Sequence, residues 1–267
     1  MARNRKTISS DMAWSTVDSI TVKGKSLTQD ILGKMNLGDY AFLEILSRTP
    51  TPEESIVFSA VLATLVEHGM TPMAITSRLT YLGAPESLQG AVAAGILGMG
   101  TTFAGTAEGS ARLLQEAIPN PEIALSAQEI KAMASAIVAQ HMASKRPIPG
   151  IGHRFHKPID PRTPRLFAIA AENHLSGHYV ELMKQIALCA EEAMDKPGLL
   201  PVNATGAIGA LASELGVPWK LCRGLAVIGR TIGLVGHLAE EMNNPIAREI
   251  WERADEESSA HHHTRNP

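Results

Sequence analysis

Apolar positions along this chain recur at steps of three and four, the period of a helix with one buried face. In GDYAFLEILSRT, Phe42, Leu43, Ile45 and Leu46 fall on a single stripe. TPEESIVFSAVLATLVEHG opens with Thr51 as N-cap, Pro52 at the first helical position and Glu53 and Glu54 in the first turn, and it is expected to close at Gly69. The same spacing predicts helices over 72–81, 85–97, 105–117, from Ser126 through AQEIKAMASAIVAQHMAS, over 163–175 and 178–194. GAIGALASELG, KLCRGLAVIGRTIGLVGHLAEEM and PIAREIWERADEE complete the series. Residues 1–18 read as irregular. DSITVKGKSLTQDILGKM reads as a short extended segment, a turn at Gly24 and a helix capped near Ser26 or Thr28. There is no sustained period-two alternation and no fixed repeat, so the predicted class is all-α.

Joints rich in Pro and Gly fall at 118–125, 145–152 and 196–206. They mark off a small domain, 118–198, inserted between the two parts of a larger one, 1–117 and 199–267, with a ligand cleft between them. Composition sharpens this picture. Aromatics are 4% of the 267 residues, while Ala, Leu, Gly and Met abound, which suits closely packed helices. A net charge of −3 and the absence of a basic face exclude nucleic acid as an expected partner. Cys189 and Cys222 sit in apolar helical contexts and are expected to be buried, reduced thiols. MARNRKTISSDMAW has no apolar run behind its basic residues, and the longest apolar stretches, such as AVAAGILGMG, are Gly-rich and short for a bilayer. The expected location is therefore the cytoplasm, with no membrane partner. The HHH at 261–263 lies in what reads as a polar tail, outside the candidate site.

One stretch concentrates candidate chemistry. PGIGHRFHKPIDPR, residues 149–162, holds two His, three other basic residues, two Gly and three Pro. Gly150 and Gly152 permit close approach of backbone to a ligand, and Pro147 and Pro149 stiffen the loop. His153 has the proton affinity to serve a hydroxyl or carbonyl near neutral pH. Arg162 can fork onto a carboxylate, and Lys157 can meet phosphates as a point charge. A solvated basic loop ahead of a helix starting at Thr163 or Pro164 accounts for the same residues, and spacing alone leaves both readings open.

PGIGHRFHKPIDPR resembles the signature of the citrate synthase superfamily, P-G-x-G-H followed by a basic residue and D-P-R. Three more segments resemble that family in its own order: ITVKGKSLTQDILGKMNLGDYAFLEILSRTPTPEE, LVEHGMTPMAITSRL and GRTIGLVGHLAEE. The resemblance spans roughly residues 20 to 248. It implies a helical fold with a truncated large domain, and a cleft in which His68, His153, Arg162 and Arg230 surround a small di- or tricarboxylate. It gives His153 the contact to the substrate's carbonyl or hydroxyl. It places Pro149, Gly150, Ile151 and Gly152, with Lys157, against coenzyme A. It also implies a helix-sandwich homodimer or higher homo-oligomer, in which Arg248 reaches the partner's site. The small-residue faces of GALASELG and AVAAGILGMG suit that packing. Without the resemblance, His68 reads as a residue favoured by the C-terminal dipole of its helix, and His237 reads as a satisfied helix residue rather than a catalyst.

Two departures narrow the expected activity. Aligning GMGTTFAGTAEGS with the synthase segment G-P-x-H-G-G-A-x-E sets Phe103 at the His that stabilises the enol of acetyl-CoA. A phenyl ring cannot hydrogen-bond an enolate oxygen. Citryl-CoA lyases, and the lyase module of ATP-citrate lyase, resemble the chain in carrying an aromatic there and in being short. In LLPVNATGAIGAL, Thr205 falls where the family has its catalytic Asp, or Asn203 with one gap, and neither side chain is an acid or base at neutral pH. Asp195 lies too far upstream to be an obvious replacement. The expected function is a citryl-CoA-lyase-like cleavage, with His153 and His68 as catalytic candidates, a CoA thioester and a small polycarboxylate as partners, no metal, and no cofactor beyond the CoA of the substrate. A condensing synthase and a non-catalytic CoA-thioester binder are the alternatives.

Overall fold

The computed structural model describes residues 8–152 and 158–263. Three short antiparallel strands open it: β1 (Ala13–Ser15), β2 (Ile20–Val22) and β3 (Lys25–Ser26). Trp14 pairs with Thr21, and Val22 pairs with both Ala13 and Lys25. Lys23 and Gly24 turn the chain between β2 and β3 with positive φ at both positions, the geometry of a tight hairpin. β1 corrects the reading of residues 1–18 as irregular. Strands of two or three residues are too short to display an alternation, so the pattern could not reveal them. A π-helical turn, Leu27–Ile31, follows, and Ser26 caps it by accepting the N–H of Gln29.

The rest is helical: α1 (Leu37–Leu46), α2 (Pro52–Val66), α3 (Pro72–Gly83), α4 (Leu88–Leu97), α5 (Gly105–Ala117), α6 (Ala127–Ala143), α7 (Arg162–Glu172), α8 (His178–Ala193), α9 (Ala204–Glu214), α10 (Cys222–Asn243) and α11 (Ala247–His263). The expected starts at Thr51 and Ser126 are built from those residues, whereas α4 begins at Leu88 rather than 85 and α7 at Arg162 rather than Thr163 or Pro164. Thr51 and Glu54, and likewise Ser126 and Glu129, form reciprocal capping boxes. α2 stops at Val66, three residues before Gly69, because Glu67 turns to extended backbone and its carboxylate takes the N–H groups of His68 and Gly69. α11 runs through the three histidines to His263, so HHH continues a helix rather than forming a tail.

The main core joins α1, α2 and α5–α10, and at one end Phe42 and Phe58 meet edge to face at 5.2 Å. α9 lies at its centre. Ala204 and every residue from Gly206 to Ser213 are buried, which its Ala- and Gly-rich sequence makes possible. A Cβ on Gly209 would stand 2.6 Å from that of Ser110, so α5 and α9 touch backbone to backbone. The small-residue face of GALASELG is therefore used within the chain. So is much of AVAAGILGMG, where Gly95 packs under Leu234 of α10 and the Met73 carbonyl of α3. The run Trp219–Asn243 is long and apolar enough by length and composition to cross a membrane, a length the shorter apolar stretches had not suggested. Half of its apolar window is buried inside the protein, against α2, α3 and α4. Both cysteines are free and buried, and burial followed by Glu108 pushes the Cys222 thiol up to about 12.

Candidate active site

The Pro-Gly-Ile-Gly segment is anchored to the entrance of α9. Ile151 bridges Val202, the N–H of Gly152 donates to the Pro201 carbonyl at 2.8 Å, and the N–H of Asn203 donates to the Gly150 carbonyl at 2.9 Å. Pro149 rests on Gly109 of α5. Gly150 has φ 92°, and a Cβ there would lie 2.7 Å from Gly206 Cα and 2.7 Å from Ser110 Oγ. The close approach that Gly150 permits is thus between two backbones of the protein, where the sequence suggested a ligand. Gly152 also has positive φ, but a Cβ there would meet nothing nearer than Leu200 at 3.5 Å. The chain next reaches His153 and Lys157, which lie outside the described residues.

Two side chains close the N-terminus of α9. Asn203 Oδ1 accepts the N–H groups of Thr205 and Gly206 and the hydroxyl of Thr205, at 2.8–3.1 Å, and Asn203 Nδ2 donates to the Gly152 carbonyl at 2.6 Å. Both residues that the sequence reading offered for the Asp position, Thr205 or Asn203, are thus engaged in capping α9. The second is Asp160, 1% exposed. Its carboxylate accepts the Ala204 N–H at 3.2 Å, the Arg162 N–H at 3.1 Å, and Arg162 Nε and Nη2 at 2.9 and 2.8 Å. Burial pushes this carboxyl up, but the Arg162 fork and the two backbone N–H groups together outweigh it and hold it at about 2. Arg162 begins α7, where a cation is disfavoured by the helix dipole, and Asp160 offsets that.

A second group forms where α2 ends. Glu67 accepts the N–H groups of His68 and Gly69 at 2.7 and 2.6 Å, meets His237 Nε2 at 3.1 Å, and lies 3.7 Å from Arg230 Nη1. Burial pushes the Glu67 carboxyl up, but the His68 N–H and then His237 outweigh it, leaving it below the ordinary value. Arg230 is 7% exposed, and its Nη1 finds no hydrogen-bond partner among the described residues. Burial lowers its proton affinity, partly offset by Glu67. His237 is buried and bonded through both ring nitrogens, in keeping with its reading as a satisfied helix residue.

The structure therefore brings the 149–152 turn, Asn203, Thr205 and Arg162 together, and brings His68 to Arg230 through Glu67. α2 packs against both α7 and α9, so the helices bearing the two groups adjoin. Phe103, 51% exposed, stands in the turn before α5, and Arg248 is exposed on α11 beside Glu252 at 3.7 Å. Neither of them contacts the two groups by any hydrogen bond or ion pair among the described residues. Sequence reasoning passed over Asp160, Glu67 and Arg78. The Asp-Pro-Arg at a helix start was a usable signal for the first, adjacency to His68 for the second, and for Arg78 its place at the end of the family-like segment LVEHGMTPMAITSRL. Among the described residues, no group of three or more His, Cys, Asp or Glu could hold a metal ion.

Comparison with known proteins adds the lineage. The family model described as citrate synthase, C-terminal domain, matches residues 18–251. A solved citryl-CoA lyase from Hydrogenobacter thermophilus is similar over 91% of this chain and 88% of its own, at 32% identity and a TM-score of 0.78. A citrate synthase from Synechocystis is 29% identical over 213 residues, 77% of this chain and 50% of that protein. An ATP citrate lyase from Methanothrix soehngenii, solved in complex with citrate and coenzyme A, shares the fold at 24% identity and a TM-score of 0.71, covering 90% of this chain and 40% of its own. The chain spans 31–50% of the length of the curated relatives it matches.

Proposed function

Because the chain belongs to the citrate synthase family, we propose that it cleaves a carboxylated 3-hydroxyacyl-CoA, citryl-CoA or a close analogue, by a retro-Claisen reaction. The observation that carries the reading is Arg230: a buried guanidinium whose Nη1 has no hydrogen bond among the described residues, and which Glu67 links to the backbone of His68. A buried cation in that condition suits an anionic ligand. In the proposed reaction His153 takes the proton of the tertiary hydroxyl as the carbon–carbon bond breaks. The electron pair of that bond passes into the thioester as an enolate, the hydroxyl carbon leaves as a keto acid, and the enolate carbon takes a proton from water, whose hydroxide recovers the proton held by His153. His68, Arg162 and Arg230 hold the carboxylates in line, and the 149–152 turn with Lys157 holds the CoA. Phe103 supports cleavage over condensation, since it offers no hydrogen bond to an enol.

The proposal carries with it a small domain, 118–198, hinged on 1–117 and 199–267, and a homodimer or higher homo-oligomer to which Arg248 contributes. It also carries a cytoplasmic location and no cofactor beyond the CoA of the substrate. A second reading, a CoA-thioester binder without turnover, is favoured by one observation: Asn203 and Thr205 are committed to capping α9 and bring no acid to the site. Thermal shifts with CoA, acetyl-CoA and oxaloacetate against buffer test the binding site. Citryl-CoA turnover then separates the two readings: product formation supports the lyase, and CoA binding without turnover supports the binder.

A further inference from the structure

The group at the end of α2 is held by side chains to which neither the motif nor the family resemblance gives a role. Arg78 is wholly buried. Its Nε and Nη2 lie 3.2 and 2.9 Å from His237 Nδ1, Nη1 donates to Glu241 at 2.7 Å, and Nη2 also meets Glu240. A guanidinium only donates, so Nδ1 of His237 is the acceptor and the ring proton sits on Nε2. That Nε2–H faces Glu67. At the other end, the second oxygen of Glu241 accepts the N–H groups of Ile246 and Ala247, at 2.9 and 2.8 Å, where α11 begins. One unbroken series of polar contacts thus runs from the start of α11, through Glu241, Arg78 and His237, to Glu67. From Glu67 it divides, to the backbone of His68 and to the guanidinium of Arg230.

We propose that Glu67 is the positioning residue of the anion site, fixing the backbone of His68 and aiming Arg230, while Arg78 and His237 fix Glu67 in turn. This rests on the reading of His68 and Arg230 as carboxylate contacts. Glu67 is the one acidic side chain that meets Arg230 among the described residues, and the ion pair at 3.7 Å leaves the guanidinium's hydrogen bonds to a ligand. A structural carboxylate would serve the turn at 67–69 as well, but it would have no reason to reach Arg230.

The test is calorimetric titration of oxaloacetate, and separately of CoA, into the parent protein and Glu67→Gln. The Gln oxygen can still accept from His68 and Gly69, so the turn is kept while the charge that aims Arg230 is lost. Oxaloacetate affinity is expected to fall about tenfold, as for one charge-assisted contact, with CoA affinity unchanged. Unchanged or tighter oxaloacetate binding would overturn the proposal alone, since Glu67 would then be a bystander or a competitor for Arg230. A parent that binds CoA but not oxaloacetate would overturn it together with the reading of the anion site. Should Glu67→Gln fail to fold, the nitrogen resonances of His237 in the parent decide. A proton confined to Nε2 supports the relay, and a proton on Nδ1 overturns it.

Discussion

Replacing Asp160 with Asn keeps the shape of a buried side chain and deletes its charge, and the consequence can be worked from the contacts. The carboxylate receives the Nε–H and Nη2–H of Arg162 and the N–H groups that open α7 and α9. Its proton affinity falls from 3.8 to about 2 on folding, against the upward push of burial, chiefly through Arg162. A carboxyl with a depressed folded value stabilises the fold fully above its unfolded value, and that contribution is lost as pH falls through the folded one. A shift of nearly two pH units corresponds to about 2.5 kcal/mol, present near neutrality and fading between about pH 4 and about pH 2. Asn supplies one acceptor oxygen and turns an NH2 group toward donors, so at least one buried N–H also loses its partner, at a cost of about 1 kcal/mol or more. Asp160→Asn is therefore expected to cost about 2–4 kcal/mol near neutral pH. Urea unfolding followed by circular dichroism, repeated down the acid range on both proteins, measures the gap. Glu54, Glu67 and Glu129 also have depressed values, but they titrate alike in both proteins and cancel in the difference. The gap should narrow steadily below about pH 4. A gap that stays constant to the acid end would refute the reasoning, because it would mean that the Arg162 pair contributes no charge-dependent stability.

Gly206→Ala would drive a methyl into the Gly150 carbonyl and backbone, and is expected to cost about 3 kcal/mol or more. Gly224→Ala, in an open stretch of α10, should gain about 0.5–1 kcal/mol, and equal effects in thermal unfolding would contradict the packing described. Lys157→Ala should weaken CoA binding by about 1–2 kcal/mol in calorimetry, and unchanged affinity would remove Lys157 from the CoA site. His153→Ala should lower kcat on citryl-CoA by on the order of 10²- to 10⁴-fold with CoA binding nearly intact, whereas a rise confined to KM would demote His153 to a contact. Thr205→Asp places a carboxylate in the first turn of α9, which the helix dipole favours, and should raise a slow parent rate; if parent and variant both fold and neither cleaves citryl-CoA, that substrate is wrong.

Two starts were legible from local signals, Thr51 with Pro52, Glu53 and Glu54, and Ser126, and each forms a capping box, with Glu54 and Glu129 respectively; α4, α5, α7, α8 and α10 have no side-chain cap and were read from periodicity alone. β1 was not legible, since Trp14 reads as strand only through its pairing with Thr21. The site divides on the same line. Arg162 and Arg230 were proposed as carboxylate contacts from their places in the family-like segments. Of the carboxylates that meet them, Asp160 lies two residues from Arg162 and was within reach of the motif, whereas Glu67 lies 163 positions from Arg230 and only packing of α2 against α10 makes that distance small. Gly150 shows where sequence and fold part. A close backbone approach was expected at Gly150, next to Pro149, yet the crowding partner, Gly206, is another glycine with no chemistry to announce it. A sequence shows that a backbone must come close to something, and the fold alone says whether that something is a ligand or the protein itself.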